Sequence, residues 1–308
     1  MPKQIRLNAF DMNCVGHQSP GLWSHPRDQA DRYNTLDYWV QLARLLERGK
    51  FDALFLADVL GIYDVYKSSP VTALENAVQV PVNDPLMVIP AMAYVTRYLG
   101  FGVTCALTYE HPYPFARRMS TLDHLTNGRV GWNIVTGYLD SAARGMGTSQ
   151  ERHDTRYEIA EDYMQAVYKL WEASWEDGAV VRDRRGRKFA DADRIHRVTH
   201  SGPYFQLDAI HLCEPSPQRT PVPSQAGAST RGRQFAAQHA ECVFINGPSK
   251  KVIGNIVSDI RHRAAACGRD PAQILIFTMM TVITAATREA AQEKLRDYLC
   301  YVSEEGAL

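Results

Sequence analysis

The 308-residue sequence has no excess charge of either sign, because 34 Lys and Arg stand against 34 Asp and Glu. A chain so balanced carries no broad electrostatic footprint for nucleic acid or an anionic membrane, and an anionic ligand has to be held by a local cluster. Also missing is any apolar run of the roughly 18 residues needed to span a bilayer. The opening MPKQIRLNAF lacks the apolar core of a secretory leader. A soluble, cytoplasmic protein is expected. The six cysteines, Cys14, Cys105, Cys213, Cys242, Cys267 and Cys300, form no C-x-x-C pair. That spacing argues against a disulfide framework and for a reducing compartment.

Several motifs are absent too. No G-x-G-x-x-G follows a strand-like run, GPSKK at 247–251 lacks the P-loop spacing, and there is no G-x-S-x-G elbow. These absences weigh against a dinucleotide fold, a nucleotide-triphosphate loop and a serine hydrolase. His196-x-x-x-His200 has metal-like spacing, but Val and Thr in its interior suit a strand and no third ligand stands near it. No metal site is expected.

What is present is alternation. Short β-rich runs at 5–10, 51–57, 100–107, 129–136, 221–227, 241–246 and 274–284 are separated by segments of helical period. The helices are expected at 36–49, 85–98, 113–126, 153–175, 230–239, 249–266 and 287–301. Within the fourth, Ala160, Tyr163, Met164, Val167, Leu170 and Trp171 form one apolar stripe. Seven βα units in series suit a (β/α)8 TIM barrel better than a doubly wound sheet, and leave an eighth unit unaccounted for. The expectation is one barrel domain over 1–308, incomplete at its C-terminus, with excursions at 58–84 and 176–220 that act as covers.

In such barrels the reactive site forms at the C-terminal strand ends. Phe10 and Asp11 stand at the end of the first strand, with His17 and Trp23 in the loop beyond. Asp58 ends the second, residues 104–108 the third, residues 133–136 the fourth, and Gly227, Ala228 and Ser229 the fifth. After the fifth the chain runs GASTRGR, 227–233, into a helix. Free N–H groups, the positive helix end and two arginines would there converge on one point. The turn reads equally as a phosphate seat or as a capping turn with solvated arginines. His153 and Tyr157 lie four apart and share a helix face, which suits packing as well as ligand binding.

Three ordered blocks carry a resemblance: TLDHLTNGRVGWNIVTGYLDSAARGMG at 121–147, HDTRYEIAEDYMQAVYKLWE at 153–172 and QAGASTRGRQFAAQHAECVF at 225–244. With RLNAFDMNCVGHQSPGLWSHP and LERGKFDALFLADVLGIYDVY, the chain resembles the flavin-dependent two-component monooxygenases of the bacterial luciferase superfamily. The group is that of nitrilotriacetate monooxygenase component A and dibenzothiophene-sulfone monooxygenase, and the likeness is greatest to the dimethyl-sulfide monooxygenase branch. The resemblance implies a TIM barrel that takes FMN in its reduced form, FMNH2, from a separate NADH-dependent flavin reductase and uses O2. A homo-oligomer is expected. Carried over by position, Asp58, Thr104, Asn133, His153, Tyr157 and Ser229 match flavin contacts, and Gly227 and Gly232 shape the phosphate turn. Phe10, Trp23 and Phe55 match or adjoin the substrate side, with His17 the candidate catalytic residue. A small organosulfur substrate such as dimethyl sulfide is expected, since a polycarboxylate would want converging cations. Pro223-Ser224 stands in the fifth strand where the resembled family has an unbroken apolar pair, and since proline removes a ladder donor it is expected to disturb the run-in to the phosphate turn.

Overall fold

The structure is a computed structural model that describes residues 4–227 and 229–308. Ala228, placed by the sequence at the end of the fifth strand, lies outside the described residues. The chain divides into two compact units.

The first unit comprises the residues up to Thr104, Tyr138–Gln150 and Met279–Leu308. Its strands β1 (Asn8–Met12), β2 (Ala53–Ala57) and β3 (Gly100–Ala106, up to Thr104 in this unit) pair in parallel, with Asn8 opposite Ala53 and Ala53 opposite Gly100. Helix α1 (Leu36–Arg48) starts at Thr35, whose side chain accepts from the Tyr38 N–H, and it buries Trp39, Ala43 and Leu46 at four- and three-residue steps.

The helix expected at 85–98 is much shorter. A 3-10 turn at Pro85–Met87 gives way to α2 (Ile89–Tyr94), with Pro90 in its first turn. It stops because the next N–H groups have a better acceptor: Glu47 Oε1 takes those of Arg97, Tyr98 and Leu99 at 2.7, 2.6 and 3.2 Å.

The second unit comprises Cys105–Gly137 and Glu151–Thr278. Here β4 (Val130–Val135), β5 (Val222–Ala226), β6 (Cys242–Ile245) and β7 (Leu275–Thr278) pair in parallel in that order. The connecting helices are α3 (Pro112–Thr126), α4 (His153–Tyr168), α5 (Thr230–His239) and α6 (Lys250–Ala266). A π turn at Lys169–Ala173 extends α4 and places Leu170 and Trp171 on its buried stripe. Phe115, Trp132, Tyr163 and Trp171 form the aromatic centre, with the Trp132 ring 4.5 Å from Phe115 and 6.0 Å from Tyr163. Both indoles are satisfied, Trp132 donating to the Cys105 carbonyl at 2.9 Å and Trp171 to that of Ala116 at 3.1 Å.

Seven parallel strands with helices between them, counted among the described residues, give the expected barrel-type α/β alternation. Pro223 does not break β5. Its register holds on both sides, Trp132 opposite Pro223 and Ser224 opposite Cys242. The Pro223 carbonyl accepts from the Glu241 N–H at 2.8 Å, so the missing donor falls where the ladder to β6 is only beginning. The last strand is four residues rather than 274–284, because β6 offers it only Cys242–Ile245 as partners. The 176–220 excursion is more ordered than a loop. It folds into two antiparallel hairpins, Val180–Asp183 with Lys188–Ala190 and Val198–Ser201 with Gln206–Ala209. No helix among the described residues is long and apolar enough to cross a membrane.

Candidate functional site

In the second unit the residues of interest gather where β5 meets α5. Ser229 is the N-cap of α5, and its Oγ accepts the Gly232 N–H at 3.0 Å. The remaining first-turn N–H groups point out of the helix end, where the macrodipole favours an anion.

Tyr157 comes in from α4 and is buried, 7% exposed. Its ring packs against Phe235 at 5.7 Å and His153 at 5.2 Å, and the Arg231 guanidinium lies 5.9 Å from its centre. Burial pushes the phenol pKa up, against hydrogen bonds from Ser229 and Gln225 and the charges of Arg156 and Arg231. Tyr157 is therefore a neutral hydrogen-bond donor.

Two glycines keep this space open. A Cβ on Gly232 would lie 2.7 Å from the Tyr157 hydroxyl and 3.0 Å from Ser229 Oγ, and one on Gly227 would lie 2.5 Å from Gln225 Nε2. The result is a cradle of hydroxyls, helix N–H groups and a guanidinium. Gln225 Oε1, beside this cradle, is one of several side-chain atoms among the described residues that are buried without a hydrogen-bond partner, as is Arg156 Nε on α4. A buried polar atom left unpaired is costly to the fold alone and is what a bound polar ligand would satisfy. The donor set fits a phosphate monoester.

Of the other residues expected here, Asn133 is buried on β4 at 3% exposure. His153, on the first turn of α4, has a half-exposed side chain whose Nδ1 pairs with Asp154 Oδ1 at 2.7 Å. His196 and His200 do not converge on a metal. His196 Nε2 meets Glu176 at 2.7 Å, while His200 Nε2 meets Asp162 at 2.8 Å. No metal-binding group of His, Cys, Asp and Glu occurs among the described residues.

In the first unit Phe10, His17 and Phe55 form a cluster. The Phe10 ring lies 4.7 Å from His17 in an edge arrangement and 5.4 Å from Phe55. Phe55 in turn fills the space that a Cβ on Gly102 would occupy, at 3.2 Å. Burial lowers the His17 pKa to about 4. Its imidazole is neutral at physiological pH, with Gln18 Nε2 at 3.2 Å. Thr104 is buried at 4% on β3, whereas Trp23, on a single 3-10 turn, is 42% exposed.

Asp58 follows β2 directly, and its pKa is raised from 3.8 to about 7, chiefly by burial, with the Asp84 carboxylate adding and the Val59 N–H opposing. Between these two values the folded chain holds a proton that the unfolded chain has released, so stability falls as pH rises from about 4 to about 7. Asp58→Asn removes that dependence. The variant is expected to be more stable than the parent at pH 8 by about 1–3 kcal/mol, with a smaller advantage at pH 5, by urea unfolding. An equal advantage at both pH values contradicts the assignment.

Gln225 and Arg156 were not singled out from the sequence. The available signal for Gln225 was an amide two residues before Gly227 in a central strand, where only a partnered polar group belongs. For Arg156, one position before Tyr157, no signal was available.

Comparison with known proteins follows the same lines. The luciferase-like monooxygenase family profile matches residues 10–306. The long-chain alkane monooxygenase of Geobacillus thermodenitrificans is 56% identical over 309 residues, covering 100% of this chain and 70% of the relative. The crystal structure of a long-chain alkane monooxygenase, 56% identical, superposes with a TM-score of 0.98 over 99% of this chain and 71% of that one. The dimethyl-sulfide monooxygenase of Hyphomicrobium sulfonivorans is 55% identical, covering 100% of this chain and 64% of the relative. Its structure matches with a TM-score of 0.97 over 99% and 66%. A riboflavin lyase solved with modified FMN and riboflavin is 38% identical, with a TM-score of 0.95 over 99% of this chain and 68% of that one. The chain thus spans about two thirds of the length of these relatives.

Proposed function

Because the chain belongs to the luciferase-like monooxygenase family, we propose that it is a monooxygenase that takes reduced FMN from a separate NADH-dependent flavin reductase. The substrate proposed is a small apolar organosulfur compound, with dimethyl sulfide converted to methanethiol and formaldehyde. The cradle around Gly232 carries the reading. Ser229 Oγ, the Tyr157 hydroxyl, the first N–H groups of α5 and Arg231 are suited to the FMN phosphate.

When bound, reduced FMN supplies the two electrons that activate O2, so the protein need provide no covalent nucleophile. Its own residues have three tasks. The cradle anchors the phosphate. Asp58, Thr104, Asn133 and His153 are assigned the remaining flavin contacts. Phe10, Phe55 and Trp23 provide apolar surface for a thioether, and neutral His17 is the hydrogen-bonding group assigned to the reacting oxygen or the substrate. In balance, dimethyl sulfide, O2 and FMNH2 yield methanethiol, formaldehyde, water and FMN.

A second reading has a specific observation behind it, since the alkane enzyme is as similar as the dimethyl-sulfide enzyme. Oxidation of an alkane to an alcohol would use the same anchoring residues. Oxygen uptake with a flavin reductase, NADH and FMN separates them. Formaldehyde and methanethiol formed in proportion to O2 consumed are expected with dimethyl sulfide. Alcohol from an alkane in their place moves the substrate assignment to the second reading, and peroxide alone with either substrate contradicts both.

A further inference from the structure

We propose that Gln225 is a positioning residue that aims the Tyr157 hydroxyl into the phosphate cradle, an inference that rests on the reading of that cradle given above. Gln225 lies on β5 at 3% exposure, and its Nε2 donates to the Tyr157 hydroxyl at 3.4 Å. A phenol oxygen has one hydrogen to give and lone pairs to accept with. Occupying a lone pair from the β5 side leaves the phenol hydrogen to be directed elsewhere. Phe235 and His153 limit how far the ring can turn, so the direction left is toward Ser229 and the space that Gly232 keeps open.

The surroundings show that the amide is housed deliberately. A Cβ on Gly227 would lie 2.5 Å from Gln225 Nε2 and push the amide out of its place, so glycine at this turn is what lets the amide sit where it does. Gln225 Oε1 has no hydrogen-bond partner among the described residues. An apolar side chain of the same shape would serve the fold better than a half-satisfied buried amide. Local cost at one position with no gain to the fold is the mark of a residue kept for a ligand.

The test compares oxidised FMN with riboflavin, which lacks the phosphate, by fluorescence titration of the whole chain and two variants. The parent is expected to prefer FMN. Gln225→Met, which keeps length and volume, is expected to weaken FMN about ten-fold, leave riboflavin unchanged and leave the thermal midpoint level or higher. Gln225→Glu, titrated at a pH where its carboxyl is ionised and only accepts, draws the phenol hydrogen back to itself and is expected to weaken FMN further. Placed in a Tyr157→Phe background, Gln225→Met is expected to add no further loss. A Gln225→Met variant that keeps the full preference for FMN, or that adds its loss to that of Tyr157→Phe, overturns the inference while leaving the cradle intact. A parent chain that binds FMN and riboflavin alike overturns the cradle and the inference together.

Discussion

Gly232→Ala is expected to lose FMN by about 100-fold or more while riboflavin affinity and thermal stability stay close to those of the parent. The added methyl would sit 2.7 Å from the Tyr157 hydroxyl and 3.0 Å from Ser229 Oγ, closer than a methyl group approaches oxygen. Tyr157 is buried against Phe235 and cannot swing away without losing that contact. The methyl therefore stays in the cradle and screens the phosphate from the two hydroxyls, each of which would contribute ~1.5–3 kcal/mol to a charged phosphate. In the other direction, alanine inside a helix is better than glycine by about 1 kcal/mol, which offsets the local strain. Affinity for the phosphate falls steeply and the fold is barely touched. Titration with FMN and riboflavin, alongside a melting curve, separates the two effects. Equal loss of both flavins contradicts the placement.

The largest expected loss of stability is at Asp162. Its carboxylate is 4% exposed and accepts from His200 Nε2, Tyr204 N and Phe205 N at 2.8, 2.9 and 2.8 Å. It fastens the hairpin of Val198–Ser201 and Gln206–Ala209 onto α4, the helix that also carries Tyr157. Gly202 makes the approach possible, since a Cβ there would fall 1.8 Å from Asp162 Oδ1. Asp162→Ala strands two backbone donors and an imidazole in a closed site and is expected to destabilise the chain by about 3–5 kcal/mol. Urea unfolding followed by tryptophan fluorescence measures it. A cost below about 1 kcal/mol would show the clamp to be incidental.

Much of the chain was legible because burial leaves a period in the sequence. The stripe of Ala160, Tyr163, Met164, Val167, Leu170 and Trp171 is buried as expected, six residues that a helix interior and its π extension place on one side. The turn at 227–233 was legible as a cap, and Ser229 is the N-cap. What the pattern could not convey depends on partners distant in sequence. Nothing within 85–98 announces that Glu47 will take three N–H groups and end α2 at Tyr94. The apolar run at 274–284 reads as strand throughout, yet Met280 and Val282 are exposed and the ladder stops at Thr278 with its neighbour. Pro223 reads as a breaker in a central strand, and only the register shows that its absent N–H is not needed.

The site divides in the same way. Residue types at strand ends named Asp58, Asn133 and Ser229, and helical spacing paired Tyr157 with His153, but the crowding around Gly227 and Gly232 is visible only in three dimensions. Gln225 offered only a buried amide in a central strand, and its meaning comes from Tyr157, 68 positions away.

The central claim is that the bend between β5 and α5 holds the phosphate of FMN. A crystal of the chain soaked with FMN tests it most directly, through the position of the phosphorus in difference density. The account predicts the phosphate within hydrogen-bonding distance of Ser229 Oγ and the Tyr157 hydroxyl, over the first N–H groups of α5. Density for the nucleotide elsewhere, with that bend bare, would contradict it.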